Sequence, residues 1–207
     1  MKALLINGSP HAKGCTYTAL SELKHTLEAE GIETELIHVG NQDVRGCIAC
    51  GQCRKLGKCV FDDVVNEVAS KLAEADAFVI GAPVYYSSPA GGAISFMDRL
   101  FFSTFNIDKT MKVGAAVVTC RRGGNTASFD VLNKYFTICE MPVVSSTYWN
   151  NVHGRLPGEA AQDAEGLQTM RNIGQNMAWL LKCIEAGKAA GVDVPVAERR
   201  QMTNYIR

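Results

Sequence analysis

The chain has no excess of either charge. Its 21 basic and 21 acidic residues cancel, so it has neither the basic footprint of a nucleic-acid binder nor the strong acidity of a pure electron carrier. No run of about 18 apolar residues occurs, which argues against a membrane-spanning helix. Met1 to Asn7 begins directly as a strand-like run, without a charged leader ahead of a long apolar stretch. The expectation is a soluble, cytoplasmic protein with no nucleic-acid and no membrane partner. Two phosphate-binding signatures are also missing. No Gly-Lys-Ser/Thr closes a P-loop, and no G-x-G-x-x-G opens a dinucleotide site. Internal repeats and low-complexity tracts are absent too.

Cysteine, by contrast, is plentiful. Four of the eight cysteines fall between residues 47 and 59, in Cys47-Ile-Ala-Cys50-Gly-Gln-Cys53 and then Cys59. Three thiols spaced by two residues can converge from one stretch of backbone on one inorganic centre, with a fourth closing it. Structural zinc asks for two ligand pairs set further apart, and no His or second Cys pair lies at that distance. Iron–sulfur ligation, zinc and reduced or disulfide-forming loop thiols remain the three readings. Cys120, Cys139 and Cys183 read as ordinary buried or half-buried residues.

With 47% hydrophobic residues in 207, the chain is long enough for one full core, and we expect a single domain over residues 1–207. Apolar runs alternate with helical stripes. Strands are expected at Lys2–Asn7, Glu33–His38, Ala77–Gly81, Lys112–Thr119 and Met141–Tyr148. Helices are expected from near Thr16, over Val64–Ala75 with Asp62 or Asp63 as cap, over Ala90–Phe102 and Ala127–Cys139, and from Glu159 through Ala186. Five apolar strands joined through helices require parallel pairing and right-handed crossovers. The result is an α/β doubly wound five-stranded parallel sheet of order 2-1-3-4-5, helices on both faces, with a cysteine-rich loop inserted at 44–60 and a C-terminal helical extension at 158–190. Val152 to Gly158 reads as linker-like.

Ligands of such sheets bind beyond the carboxyl ends of the strands at the switch point, which singles out three loops. The first, Asn7 to Thr18, runs from a strand into a helix and carries Ser9, His11, Gly14, Cys15, Thr16, Tyr17 and Thr18. Backbone amides and the helix dipole there suit a terminal phosphate. The second, Gly81 to Ala90, offers Pro83, Val84, Tyr85 and Tyr86 beside exposed amides, where a flat redox ring fits. The third, Thr119 to Asn125, sets Thr119, Arg121, Gly123 and Gly124 on the other side of that ring. No residue is singled out as catalytic. His11, His38 and His153 read as surface or packing residues, His11 with a further part in the phosphate loop.

Gly8-Ser9-Pro10 with Gly14-x-Thr16, Ala82-Pro-Val-Tyr-Tyr86, Phe96-Met-Asp98-Arg99, and Gly46-Cys47-x-x-Cys50-Gly-x-Cys53 with Cys59 resemble the NAD(P)H-dependent FMN reductase and iron–sulfur flavoprotein family. The resemblance covers roughly residues 1–150. It implies a flavodoxin-like fold, bound FMN, and homodimers or homotetramers with flavin sites near subunit contacts. It also implies that Ser9, His11, Thr16, Tyr17 and Thr18 meet the phosphate, Pro83, Val84, Tyr85 and Tyr86 the ring, and Thr119 to Gly124 its far edge. Cys47, Cys50, Cys53 and Cys59 match the spacing that holds a [4Fe-4S] cluster in such proteins. Cys15 stands where many members have Asn, and Ile94 where many have Lys. The expected activity is an oxidoreductase that takes electrons from NAD(P)H, or from a ferredoxin-like protein, and gives them to a small acceptor such as flavin or quinone. A non-enzymatic carrier, with FMN and with or without a cluster, is the second reading.

Overall fold

The computed structural model describes residues 1–198 and 201–205. Its elements run β1 (Lys2–Asn7), α1 (Cys15–Ala29), β2 (Glu33–His38), α2 (Cys53–Leu56), α3 (Val64–Glu74), β3 (Ala77–Tyr85), β4 (Ser88–Pro89), α4 (Gly91–Ser103), β5 (Val113–Cys120), α5 (Asn125–Thr137), β6 (Asn151–His153) and α6 (Ala164–Ala189). A 3-10 turn at Glu159–Gln162 precedes α6.

The sheet has the order β2-β1-β3-β5-β6, with every neighbouring pair in that path parallel. Once the two-residue β4, which folds back on the end of β3, is set aside, this is the expected 2-1-3-4-5 order. The fold is flavodoxin-like. Successive residues of one strand face opposite sides, and the central strands β1, β3 and β5 are apolar on both because helices cover both. Leu4, Ile6, Phe78, Ile80, Ala116 and Val118 pack toward α3, α4 and α5. Their sequence neighbours Leu5, Val79, Val113, Ala115 and Val117 pack toward α1 and α6. This two-sided burial produces continuous apolar runs in place of alternation.

Local signals explain the boundaries. Asp63 caps α3, its carboxylate accepting from Val65 N at 3.1 Å, and Asp163 caps α6 by accepting from Gly166 N at 2.9 Å. Gly31, at φ +81°, ends the α1 segment in the left-handed region.

The last strand departs from expectation. Residues 141–148 touch the sheet through a single bridge, Val143 to Gly114, and then leave it; the strand that pairs is Asn151–His153. Pro142 brings no amide to a ladder. Ser146 ties the segment to itself instead, its hydroxyl 2.6 Å from Tyr148 O and 2.9 Å from Asn150 Oδ1. The chain rejoins the edge only after this excursion.

Candidate functional site

At the carboxyl ends of β1, β3, β5 and β6 lies a cavity of about 360 Å³, within the usual range of small-molecule sites, about 300–1,000 Å³. One wall is the start of α1. Gly14 is its N-cap and supplies no side-chain acceptor, so the first-turn amides of Cys15, Thr16 and Tyr17 have no helix carbonyl behind them. The loop ahead of the helix is held from below. Asn7 Oδ1 accepts from Ser9 N at 3.0 Å, Ser9 Oγ accepts from His11 N at 3.2 Å, and the His38 ring sits 2.7 Å from the Ser9 carbonyl. Gly40 passes so close beneath Ser9 that a Cβ there would lie 2.1 Å from the same carbonyl oxygen.

Of the fifteen cofactor-loop residues singled out from the sequence, ten line this cavity: Ser9, His11, Gly14, Cys15, Thr16, Pro83, Val84, Tyr85, Thr119 and Arg121. Five do not. Thr18 donates to Gly14 O at 3.4 Å within its own helix turn. Tyr17 is half-buried on α1, and Tyr86 points fully into solvent at φ +53°. Gly123 is exposed, and Gly124 caps α5 with its α-carbon backed against Ser87 and Val84. The Thr16 hydroxyl, read as a phosphate donor, is engaged 2.7 Å from the Thr119 hydroxyl; it joins α1 to β5 across the cavity floor.

Two contributions escaped the sequence reading. The segment taken as a linker forms the outer wall, with Gly154, Arg155, Leu156 and Pro157, and Cys15 Sγ donates to Leu156 O at 3.4 Å. Cys120 also lines the cavity. Its thiol is pushed above its ordinary value, chiefly by burial, and it lies 3.6 Å from His153 Nδ1. Cys139 is half-buried as expected, whereas Cys183 is exposed on the outer face of α6.

A second hollow, separate from the first, is lined by Cys47, Cys50, Cys53 and Cys59 together with apolar side chains that include Ile48, Val60, Phe61 and Phe102. Among the described residues no three Cys, His, Asp or Glu side chains are gathered closely enough to hold a metal ion, so the four sulfurs share a hollow without forming a ligand sphere. The donor set, four thiols in one apolar-walled recess, fits an iron–sulfur cluster. Arg99 and Asn66 anchor the loop. Asn66 accepts from Cys59 N at 2.9 Å and donates to Cys59 O and Phe61 O at 3.0 Å. Arg99, buried on α4, reaches Cys59 Sγ at 3.2 and 3.4 Å through Nη2 and Nε. Neither residue was readable as part of the cysteine motif.

A parallel sheet of this order, with a helix N-terminus and three loops converging on one crevice at the switch point, defines a flavodoxin-like α/β protein whose crevice lies where ligands of such sheets bind. A flavodoxin from the domain Archaea superposes with a TM-score of 0.61 at 18% identity, over 88% of this chain and 99% of that one. Residues 1–155 match the family model for NADPH-dependent FMN reductase, and the chain belongs to that family of FMN-dependent oxidoreductases. It is 33% identical over 192 residues to an iron–sulfur flavoprotein of Methanocaldococcus jannaschii, covering 89% of this chain and all of that one. It is 27% identical over 191 residues to an iron–sulfur flavoprotein of Methanosarcina thermophila, over 91% and 99% of the two chains.

Proposed function

We propose that the protein binds FMN in the cavity of Ser9, Thr16 and Tyr85, accepts electrons from NAD(P)H, and reduces a small acceptor of the flavin or quinone class. The observation that carries this reading is the uncapped start of α1 opening into that cavity. Its free amides and positive dipole end suit the dianionic phosphate of FMN. His11 and Arg121, both exposed at the rim, add donors toward that charge. Pro83, Val84 and Tyr85 give the flat, partly apolar wall on which a ring rests, and the 154–157 segment keeps water from its outer edge. The bound flavin supplies hydride acceptance from the nicotinamide and onward transfer of the two electrons. The chain's own work at the ring and phosphate is to orient and shield.

Cys47, Cys50, Cys53 and Cys59 would hold a [4Fe-4S] cluster, which supplies single-electron exchange with a ferredoxin-like protein. We also read the protein as a cytoplasmic homo-oligomer, dimer or tetramer. Tyr85 on the cavity wall and its neighbour Tyr86 stand exposed, and the exposed pair Tyr148 and Trp149, 4.7 Å apart edge to face, offers the aromatic surface that subunit contacts favour. Light scattering at micromolar concentration reads the mass, and a monomer with full flavin occupancy overturns the oligomer. The function itself is tested by anaerobic addition of NADPH to purified protein. Bleaching of a flavin spectrum, restored by a quinone, supports the reading. A flavin that no nicotinamide reduces leaves the non-enzymatic carrier in its place.

A further inference from the structure

Between the flavin-site cavity and the outer surface lies a pair that the proposed reaction has not used. Cys120, at the end of β5, lines the cavity, and its sulfur is 3.6 Å from His153 Nδ1 at the end of β6. The other side of the His153 ring belongs to a different hollow of about 270 Å³, lined by Tyr148, Asn151, His153, Asp163 and Glu165 among others. His153 is solvent-exposed and Cys120 is buried. The pair therefore spans the wall between solvent and cavity.

Asn151 completes the arrangement. Its side chain is buried, its Nδ2 lies 3.2 Å from His153 Nε2, and its Oδ1 has no hydrogen-bond partner. The carboxamide thus has two useful faces. With Nδ2 toward the ring, it donates to an unprotonated Nε2, and the ring hydrogen resides on Nδ1, facing the Cys120 sulfur. Turned over, Oδ1 accepts from Nε2–H, and Nδ1 accepts from the Cys120 thiol. The backbone beside the ring is held too, His153 N donating to Asp163 Oδ2 at 2.6 Å. Burial raises the Cys120 thiol, which keeps its hydrogen in place at neutral pH and makes it a carrier of protons more than a nucleophile.

We propose that Cys120 and His153 form a proton relay from the Asn151–Asp163 hollow into the cavity, delivering the proton that a quinone-class acceptor requires. This rests on the reading of the cavity as the FMN and acceptor site. A quinone that receives a hydride equivalent, two electrons and one proton from the reduced cofactor, becomes a hydroquinone anion. It takes a second proton from Cys120 Sγ. The sulfur regains one from His153 Nδ1–H, and the ring regains one at Nε2 from water in the outer hollow, with Asn151 turning to follow the tautomer. The sum is NAD(P)H plus quinone plus one proton giving NAD(P)⁺ plus hydroquinone. Cys120 is the group that touches the acceptor, and His153 is its positioning and supply residue.

Anaerobic stopped-flow measurement on the holoprotein separates the two halves of the reaction. His153→Gln is expected to slow oxidation of the reduced flavin by 1,4-benzoquinone about tenfold, below the roughly 10²–10⁴-fold typical of a lost acid–base group because water partly replaces it. It should also change the solvent isotope effect of that step while reduction by NADPH stays within about twofold. Wild-type quinone rates in this variant, or equal losses in both halves, overturn the relay. Nitrogen-15 NMR of the flavin-free protein gives a readout that needs no cofactor. Cys120→Ala should shift the His153 Nδ1 resonance, and an unmoved resonance overturns the pairing. A protein that binds no flavin at all defeats the parent reading instead, and the NMR result still decides the contact.

Discussion

Arg99 holds Asp63 with both terminal nitrogens, Nη1 at 2.6 Å from Oδ2 and Nη2 at 3.0 Å from Oδ1, while the guanidinium remains only 1% exposed. One fork thereby joins three parts of the chain: α4, the cap of α3, and the cysteine loop through Cys59. Such bidentate geometry is specific to arginine. The aromatic ring of Phe61 lies under it, 5.1 Å from the guanidinium carbon.

Removing Asp63 leaves a buried cation without its counter-charge and α3 without its cap. A fully buried broken pair costs about 3–5 kcal/mol, but Asp63 is about a quarter exposed, so Asp63→Ala is expected to lose about 2–3 kcal/mol. Urea unfolding followed by circular dichroism measures it. Arg99→Lys keeps the charge but loses the fork, so it should release the cysteine loop, seen as faster proteolysis near residues 45–60, with a smaller loss of global stability. A loss below about 0.5 kcal/mol for Asp63→Ala would show that the pair is only a surface ornament.

Gly40 carries a different kind of constraint. Its place beneath Ser9 leaves no room for a Cβ, and the obstacle is backbone, which cannot rotate away. Gly40→Ala should therefore displace the loop of Ser9 and His11, cost about 1–3 kcal/mol as an overpacked site, and lower flavin retention at least tenfold. Flavin content after gel filtration is the measurement. Stability lost with flavin fully retained would detach the Ser9 loop from cofactor binding.

The strands, the crossovers and the position of the crevice were legible in the sequence because each rests on local pattern. Apolar runs such as Ala77-Phe-Val-Ile and Val113 to Val118 announce strands covered on both faces, and the Gly-Ser-Pro turn before α1 announces a loop at a strand end. What was not legible depends on contacts across long separations. Asn66 clamps Cys59 from another element, Arg99 reaches Cys59 from 40 residues away, and the 154–157 wall closes against Cys15 from 141 residues away. Cys120 and His153 sit in different strands, and nothing in either local sequence marks them as a pair. The fifth strand was misplaced because the apolar run Pro142-Val-Val looks like a strand, whereas the Ser146 hydroxyl and the missing Pro142 amide move the pairing to Asn151.

Glu35 gives a prediction about pH. The Lys71 ammonium, 2.5 Å from one oxygen, with Lys2 3.2 Å from the other, holds the Glu35 carboxyl below its usual range against the opposing effect of burial. A carboxyl with a depressed folded-state value contributes stability above its unfolded value, near 4.5, and loses it as pH falls through the lower folded one. Glu35→Gln should therefore unfold at lower urea than the parent at pH 7, and the gap should narrow as pH falls below about 4.5. High salt should narrow it at pH 7. A gap that stays constant from pH 7 to pH 3 would mean that the carboxylate charge contributes nothing and only shape was lost.

The cysteine hollow can be separated from the cavity proposed for flavin by composition. Cys47, Cys50, Cys53 and Cys59 line one recess and none of them lines the other, so a ligand lost from the first should leave the second intact. Cys53, buried at the start of α2, and Cys59, held by Asn66 and Arg99, are the best-fixed members of the set. Cys47 and Cys50, by contrast, are exposed. Replacing Cys53 or Cys59 by Ser is expected to cut bound iron and acid-labile sulfide several-fold in anaerobic preparations supplied with both, with one flavin per chain retained. Cys183→Ser, far along α6, should change neither. Iron and sulfide absent from the parent protein under those conditions would remove the cluster reading and return the four residues to reactive or structural thiols, with the flavin site untouched.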